Sequence, residues 1–325
     1  MRKKHIHKKL LSALLTVILL CQTIIPAFAE SYNTAGYALG PSGINDTVGS
    51  QPAQAEAMAT SATQAGSFSD MVPENSWSYK ALTAAIDAGL LKGNNGKLNP
   101  YDNITRAEMI TIGLRALGLD DSVGRDLTPF ETDIGSFKDV QKSDWYFDEI
   151  AMAYKLKLLN GISGSEMFPS GIVSREMAFT ILCRLMGLDE TYADMSALNK
   201  FTDANQLSEW AKPYAAAMTA EGYVSGSGGV LNPQGAITRQ EFAQLMYNLF
   251  GSNYISAQNT ADALSGKTVT GNIVVSGNGF TLSGLTVNGD VVIGDGVGNY
   301  DATLDGVNIS GRLIVRGGGE NTIYL

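Results

Sequence analysis

Apolar residues recur at helical spacing in three segments of the chain, and each segment follows the same order of helix, loop and helix. In the first segment, residues 77–91 place their apolar side chains on one face, which predicts a helix. The residues on that face are Leu82, Ala85, Ile86 and Leu90. Residues 93–96, rich in Gly and Asn, are expected to end this helix. An extended turn is predicted at 98–100, because the residue before a proline disfavours helix.

A second helix is predicted to begin directly after Thr105. Thr105 and Glu108 have the spacing of a capping box, in which the hydroxyl accepts from a first-turn N–H and the carboxylate reaches back to the cap. The second segment keeps a cap but has Met177 in place of the glutamate, so its box is incomplete. The cap residues of the three copies are predicted to be structural, and they are Thr105, Glu108, Ser174, Thr238 and Glu241.

Five landmarks recur in register in all three copies. A Phe-x-Asp opens each copy, a tryptophan follows eight or nine residues later, and a glycine comes next. A proline lies 32 residues after the phenylalanine, and an arginine lies 38 residues after it. Such a repeat indicates one supersecondary unit that occurs in several copies, and the copies bury their apolar faces together in a shared core. The landmark residues, in chain order for each type, are Phe68, Phe137 and Phe201; Asp70, Asp139 and Asp203; Trp77, Trp145 and Trp210; Gly93, Gly161 and Gly226; Pro100, Pro169 and Pro233; and Arg106, Arg175 and Arg239.

After Gly251 the periodicity changes from helix to strand. Short β-branched runs are separated by Gly, Asn and Asp, and similar runs recur at spacings of 18 and 22 residues. This recurrence predicts a parallel β-solenoid, in which each turn stacks on the one before. Because the sequence given stops at an apolar Ile-Tyr-Leu, we expect the solenoid to be a fragment or its last turn to be covered.

The N-terminal region has the features of a secretory leader. A basic stretch and a short apolar run precede a small-x-small pattern, which predicts a signal peptide at residues 1–29 with cleavage after Ala29. Residues 30–66 are rich in small and polar residues and are expected to form a flexible linker. After cleavage the chain has 18 basic and 32 acidic residues, a net charge of about −14. So acidic a chain argues against nucleic acid as a partner, and no membrane span is expected after cleavage.

The composition offers little for catalysis. Both histidines, His5 and His7, lie in the predicted leader, so the mature chain has none for general base or metal work. Cys183 is the one cysteine left after cleavage, and its apolar helical surroundings predict a buried structural thiol. The acids of the solenoid stand beside glycine-rich turns, as turn residues do. No catalytic residue, cofactor or metal is therefore expected in the given chain.

The landmark order over residues 67–251 resembles the S-layer homology family, the surface-anchoring module of many bacterial envelope proteins. The resemblance divides the chain into repeat 1 (67–127), repeat 2 (133–195) and repeat 3 (196–256). It implies an all-α pseudo-threefold helical bundle of the three repeats. It also implies binding of secondary cell-wall polysaccharide, often with ketal-linked pyruvate, in grooves between the repeats. The second copy departs from the usual Thr-Arg-x-Glu pattern, so the resemblance holds less well for its groove. Residues 265–325 are similar to pectate-lyase-type β-helices, which implies a partial right-handed parallel β-solenoid.

The arginines are the leading candidates for polysaccharide binding. Each lies in the first turn of a helix, where the helix dipole disfavours a cation, so local stability does not account for it. A planar guanidinium matches a carboxylate, and N–H groups at a helix start also suit an anion. The alternative is a salt bridge to an acid of a neighbouring repeat, for instance the Phe-x-Asp aspartate. Since Met177 leaves the second cap looser, Arg175 is expected to be held less firmly than Arg106 or Arg239.

The other landmarks divide between structure and binding. The phenylalanines are expected in the core. The tryptophans could stack on sugars or fill the core. The aspartates are expected to cap a turn, with sugar hydroxyls as the alternative, and the glycines are expected to supply backbone freedom at a helix end and room for a ligand. The tryptophans, aspartates and glycines are kept as candidate ligand-binding residues, together with the arginines.

The sequence as a whole predicts a non-enzymatic anchoring protein of a Gram-positive cell surface. Its expected partner is a secondary cell-wall polysaccharide or another polymer linked to peptidoglycan. One rival is a carbohydrate-active enzyme anchored by the same repeats, whose catalytic part lies beyond Leu325. Another is a subunit that self-associates in a surface layer.

Overall fold

In a computed structural model of the protein, the described residues are 68–119, 132–256, 258–277, 279–318 and 322–325. The predicted leader and linker lie outside these residues. Each repeat contributes two helices, as the apolar periodicity predicts. Their bounds are α1 Tyr79–Asp87, α2 Arg106–Ala116, α3 Phe147–Lys155, α4 Arg175–Leu185, α5 Lys212–Ala220 and α6 Arg239–Phe250. Short 3₁₀ helices follow α4, at Glu190–Tyr192, Met195–Lys200 and Ala204–Gln206.

The helices pair between repeats as well as within the shared core. The first helix of each repeat packs on the second helix of another: α3 on α2, α5 on α4, and α1 back on α6. The core joins all three repeats and includes Leu82, Met109, Phe179 and Phe242, each no more than 1% exposed. The three helix–loop–helix units therefore form the pseudo-threefold bundle that the family resemblance implies.

A ring of backbone hydrogen bonds closes the bundle at its centre. Ile104 N–H donates to Ile237 O, Ile237 N–H donates to Val173 O, and Val173 N–H donates to Ile104 O, each at 3.0 Å. All three residues are fully buried. Each repeat therefore donates to one neighbour and accepts from the other, and the third repeat returns to the first.

The first helix of each repeat ends earlier than predicted. Helix α1 ends at Asp87, and the chain turns at Gly89, whose φ is 70°. The equivalent turning residues are Lys157, with φ 58°, and Gly222, with φ 76°. Gly93 and its counterparts lie several residues beyond these turns, so the prediction that they terminate the helix is wrong.

The caps of the second helices form as predicted. Thr105 and Thr238 each complete a capping box with the glutamate three residues on. Ser174 accepts from the N–H of Met177 at 3.4 Å, and the reciprocal half of the box is missing there. The second repeat therefore keeps the cap and lacks the box.

The C-terminal segment is a parallel β-solenoid of about three turns, as the recurring runs predict. Its strands are β1 Tyr254–Ile255, β2 Thr268–Thr270, β3 Ile273–Val275, β4 Phe280–Ser283, β5 Thr286–Asn288, β6 Val291–Ile293, β7 Ala302–Asp305, β8 Asn308–Ile309, β9 Leu313–Val315 and β10 Ile323–Tyr324, with helix α7 Gln258–Asp262 after β1. They form three parallel sheets in the orders β1-β3-β6-β9, β4-β7-β10 and β2-β5-β8. Ile273 pairs with Val291 and Val291 with Leu313, which are the predicted offsets of 18 and 22 residues.

One wall of the solenoid packs directly on the helical bundle. In β3 and β6 the inward side chains fill the solenoid, while Val274 and Val292 belong to the core of the bundle. Asn272 donates from Nδ2 to Leu249 O at 2.7 Å and to the Tyr223 hydroxyl at 2.8 Å. Gly296 N–H donates to Leu117 O at 2.8 Å. Strands β3 and β6 are therefore covered on both faces, and the solenoid packs as an extension of the bundle.

Candidate functional site

Each repeated arginine reaches from its own repeat into the next one. The Nε atom of Arg106 donates to Met167 O at 3.1 Å, and that of Arg175 donates to Leu231 O at 3.1 Å. In the third copy Arg239 Nε donates to Leu98 O at 3.0 Å. These contacts join the same pairs of repeats as the central ring, but in the opposite direction of donation: repeat 1 donates to repeat 2 through Arg106 and to repeat 3 through Ile104. The arginines thus lie at the three junctions between repeats, which we call the 1–2, 2–3 and 3–1 grooves after Arg106, Arg175 and Arg239 respectively.

Two of the arginines also bind a glutamate of the next repeat. Arg239 Nη1 lies 2.7 Å from Glu108 Oε1, and Arg175 Nη1 lies 3.0 Å from Glu241 Oε1. The acid is therefore the capping-box glutamate, and the suggestion of a Phe-x-Asp aspartate as partner is wrong. It also follows that Met177 alters the groove of Arg106 rather than that of Arg175. The reason for expecting Arg175 to be the loosely held arginine is therefore wrong, and which of the three arginines is held least firmly stays a prediction.

The helix starts are not available for an anion in the way the sequence suggested. The N–H of Arg106 donates to Gly171 O, and the next N–H, of Ala107, donates to Pro169 O, both at 2.9 Å. The third N–H is taken by the cap hydroxyl of Thr105. The same pattern recurs at Arg175 and Arg239. Because these first-turn N–H groups are already bonded, the helix starts do not supply donors for an anion in the grooves.

The aspartates hold the loop that carries the proline. Asp70 accepts from the N–H groups of Leu98 and Asn99 at 2.7 and 2.8 Å. Asp139 accepts from Met167 and Phe168, and Asp203 from Leu231 and Asn232, in the same way. Both carboxylate oxygens are used in each copy, so the structure places these side chains in the loop scaffold instead of the grooves.

These contacts change the acidity of two of the carboxyl groups. Burial alone would raise the pKa of Asp203, but hydrogen bonds from the N–H groups of Leu231 and Asn232 lower it by more, so the pKa lies below its ordinary value. The pKa of Asp70 is lowered in the same way, against burial, by the N–H groups of Leu98 and Asn99.

The glycines make room for the phenylalanine of their own repeat. A Cβ on Gly93 would lie 2.2 Å from Phe68 Cε1, and one on Gly161 would lie 2.7 Å from Phe137 Cε1. Gly226 makes the same approach to Phe201 and also has a φ of +67°. An added Cβ would also meet a backbone carbonyl oxygen in each copy, of Lys97, Ser163 or Val230, at 2.5–2.6 Å, so the ring and the backbone together explain all three glycines. Phe137 and Phe201 are buried, as predicted, and Phe68 is partly buried against the same core.

The tryptophans do not all lie in the core, which was one of the two interpretations of these residues. Trp77 and Trp145 are 60% and 57% exposed, whereas Trp210 packs partly against the core. Trp210 of repeat 3 lines a pocket with Arg106 of repeat 1. Trp77 precedes Ser78, whose hydroxyl donates to Gln240 Oε1 at 2.8 Å, which brings it beside the helix that carries Glu241. The 1–2 groove is therefore built by all three repeats: Arg106 from the first, Met177 of the second helix of repeat 2, and Trp210 from the third.

The 1–2 groove contains a pocket of about 50 Å³. Its polar and aromatic lining comes from Arg106, Asn160, Arg184 and Trp210, beside Gly161 and Met177. Arg184 Nη1 donates to Leu158 O at 3.4 Å, and its guanidinium lies over the ring of Tyr214. Two cationic groups and an indole thus share one small depression.

Arg184 is a candidate that the sequence analysis missed. It lies ten residues after the cap Ser174, and the equivalent positions are Arg115 and Asn248. These two donate to Leu90 O at 3.1 Å and to Tyr223 O at 3.0 Å, as Arg184 does to Leu158 O. The recurrence of a polar donor at this offset was a signal present in the sequence.

The family model of the S-layer homology domain matches residues 67–110, 136–178 and 200–243. The chain therefore carries three S-layer homology domains. It is 34% identical to the surface-layer 125 kDa protein of Lysinibacillus sphaericus, over 55% of this chain and 14% of that protein.

Other relatives are named as an enzyme or as an anchoring protein. An amylopullulanase of Thermoanaerobacterium thermosulfurigenes is 28% identical over 56% of this chain and 9% of its own length. A cellulosome-anchoring protein of Acetivibrio thermocellus is 28% identical over 49% of this chain and 35% of its own length. The chain thus spans well under two thirds of these relatives. Of the residues that the structure describes, none forms a helix both long and apolar enough to cross a membrane.

Proposed function

We propose that the three S-layer homology domains hold the protein on the outside of a Gram-positive cell by binding an anionic secondary cell-wall polysaccharide. The observation that carries the proposal is the 1–2 groove, where Arg106, Arg184 and Trp210 line one pocket. A guanidinium is suited to the carboxylate of an acidic sugar, and an indole face is suited to the apolar face of a sugar ring. A ketal-linked pyruvate would supply such a carboxylate.

Repetition would strengthen this binding. Three grooves on one closed bundle can contact successive units of a single polymer, so weak individual sites give a strong overall attachment. The names of a cellulosome-anchoring protein and a surface-layer protein among the relatives support anchoring as the role of these domains.

Two other roles for the whole protein remain compatible with such an anchor. Relatives named amylopullulanase and exoglucanase favour an anchored enzyme whose catalytic part is outside the given chain. Relatives named S-layer protein favour a subunit that self-associates. In both cases we propose that the segment described here acts as the anchor and does no chemistry itself.

Sedimentation of the mature chain with purified cell-wall sacculi tests the proposal. We expect the protein to sediment with intact sacculi and to stay in the supernatant after the secondary polysaccharide has been extracted. Sacculi whose polymer has lost its pyruvate form a third arm and test the acidic group alone. Equal sedimentation with extracted and intact sacculi would contradict polysaccharide binding and point to peptidoglycan.

A further inference from the structure

The second helices of the three repeats, α2, α4 and α6, all end against the solenoid. The last carbonyl groups of an α-helix have no partner further along the helix, so a helix end that is covered needs donors from another part of the molecule. The solenoid supplies one such donor to each of the three helix ends. The pairs are Gly296 N–H with Leu117 O at 2.8 Å, Arg316 Nη1 with Arg184 O at 3.3 Å, and Asn272 Nδ2 with Leu249 O at 2.7 Å.

The three donors belong to three successive turns of the solenoid. Asn272 directly precedes β3, Gly296 lies shortly after β6, and Arg316 directly follows β9. These strands are neighbours in one sheet, in the order β3-β6-β9. Each turn of the solenoid therefore meets the second helix of a different repeat: first α6, then α2, then α4.

The second turn is longer than the first at the place where it meets α2. Strand β3 pairs with β6 at an offset of 18 residues, whereas β4 pairs with β7 at an offset of 22. The four additional residues lie between β6 and β7, where the chain forms a 3₁₀ turn at Asp295–Val297. That turn is buried and contains the N–H group of Gly296 that bonds to α2. The irregular spacing of the solenoid thus corresponds to a contact with the bundle.

The same 3₁₀ turn holds the donor for α4. Asp295 accepts from Arg316 Nε at 2.6 Å, and both side chains are largely buried. The carbonyl of Arg184 also accepts from Gly187 N–H at 3.1 Å, so Arg316 is its second donor and a charged one. A cation at the C-terminal end of a helix interacts favourably with the helix dipole.

Gly294 lets the backbone of the solenoid come close to α2. A Cβ on Gly294 would lie 2.6 Å from Leu117 O and 3.1 Å from Leu117 C. Both are backbone atoms, which cannot turn aside as the end of a side chain would. An added methyl group must therefore push the second turn away from the helix.

We propose that the solenoid is the C-terminal cap of the helical bundle, with one turn for each second helix. The stable anchoring unit then extends from the first repeat through the third turn of the solenoid, whereas the family match ends at residue 243, before all three donors. This role goes beyond anchoring itself, because it assigns a task to a segment that lies outside the three S-layer homology domains.

Three substitutions in the full mature chain each disturb one of the contacts. Asn272→Ala removes the donor to α6, and Gly294→Ala separates the second turn from α2. Arg316→Lys keeps a cation for Asp295 but lacks the second nitrogen that reaches α4. Hydrogen exchange of single backbone amides is followed by NMR. In the last turn of the helix concerned we expect exchange to become on the order of fivefold faster, as for the loss of one hydrogen bond, and in the other two less than about twofold faster.

Two control substitutions make matched changes away from the helix ends. Arg312→Lys is the same replacement in the same turn, at an arginine whose guanidinium bonds to Asp290 of the solenoid. Gly164→Ala adds a methyl group where no atom lies within 4 Å. Both controls should leave exchange in the last turns of α2, α4 and α6 unchanged.

Equal exchange at the end of α4 in Arg316→Lys and Arg312→Lys would overturn the proposal, and this pair decides it even where Asn272→Ala or Gly294→Ala does not fold. Faster exchange spread evenly over all three helix ends in each variant would also overturn it, because one turn for each helix requires local effects. Sedimentation with sacculi is a separate readout. Arg316→Lys should still sediment, whereas a wild type that does not sediment would refute the proposed function and leave the capping role intact.

Discussion

The bundle and the solenoid are both built by repetition, but one is a closed ring and the other an open stack. In the bundle, each repeat donates to one neighbour and accepts from another, so that Ile237 is connected to both Ile104 and Val173. In the solenoid, each strand pairs with the turn before it, as Val291 does with Ile273, and the third turn reaches Leu313. A closed ring is complete only when all of its repeats are folded, whereas each turn of a stack can fold on the turn before it. The stability of the ring should therefore be shared, and that of the stack should be local.

Opening the ring should have the largest effect. Arg239 ties repeat 3 to repeat 1 through Leu98 O, Lys92 O and Glu108. Arg239→Ala removes these charged hydrogen bonds and leaves their acceptors unpaired, which should cost about 3 kcal/mol of unfolding free energy. We expect a single helical transition at lower temperature in circular dichroism, with all repeats lost together. Two separate helical transitions would argue against a ring.

The second largest effect is expected for substitutions in β6, the strand that lies between the bundle and the solenoid. Val292 faces the bundle and Val291 faces the inside of the solenoid, although they are neighbours in one strand. Val292→Ala should lower the free energy of unfolding by about 2 kcal/mol and shift the bundle transition, because its cavity lies in the shared core. Val291→Ala should destabilise the solenoid in hydrogen exchange and affect the helices less. Val315→Ala is the control, since that side chain is 50% exposed. Identical exchange patterns for the first two would refute local stability in the stack.

Acid should weaken the loop of each repeat that the aspartate holds. The pKa of Asp203 is lowered in the folded protein, against the effect of burial, by the N–H groups of Leu231 and Asn232. Its contribution to stability is therefore present above the ordinary pKa and is lost as the pH falls through the folded value. Asp203→Asn should cost about 1 kcal/mol at neutral pH. It should also flatten the decline in melting temperature below about pH 4, which is near the ordinary pKa of Asp. An unchanged pH profile in this variant would exclude Asp203 as the source.

The smallest expected effect is an increase in stability, from a substitution at Phe168. Phe168 has a φ of 55° and is 46% exposed, whereas its counterparts Asn99 and Asn232 are of a residue type that tolerates this left-handed region. Phe168→Asn should stabilise the protein by about 0.5 kcal/mol, because the strain is relieved without removing a buried group. The change in the free energy of unfolding is measured by denaturant unfolding, with Tyr192→Asn as a control at an exposed position. A loss of stability would mean that the packing of the ring over Gly171 outweighs the strain.

The sequence predicted what happens inside one copy better than what happens between copies. The presence of two helices in each repeat, the caps of Thr105 and Thr238, the burial of Phe137 and Phe201 and the strand offsets of the solenoid follow from local spacing and are confirmed. The partner of Arg239 was missed, because a repeat pattern does not say which neighbour a side chain reaches. The consequence of Met177 was assigned to the wrong groove for the same reason.

Other differences have equally specific causes. Gly93 was interpreted as a helix terminator because glycine often ends helices, but its position is set by contact with Phe68. Asp70 was expected to cap a turn, with sugar hydroxyls as the alternative, but its carboxylate accepts from the N–H of Leu98, 28 residues along the chain. The packing of Val274 on the bundle was not predicted, since an uninterrupted apolar strand does not reveal what covers its outer face.

The wall formed by β1, β3, β6 and β9 also determines how the protein would respond to mechanical load. A pull on the chain at Tyr324 loads the strand pairs of the outer turn one after another, a peeling geometry in which few bonds resist at any moment. Force that reaches Tyr254 enters α6 instead, where the ties of Arg239 to the first repeat resist together. Stress from the surroundings would thus extend the solenoid turn by turn before it opened the ring, and the attachment would survive while the stack lengthened.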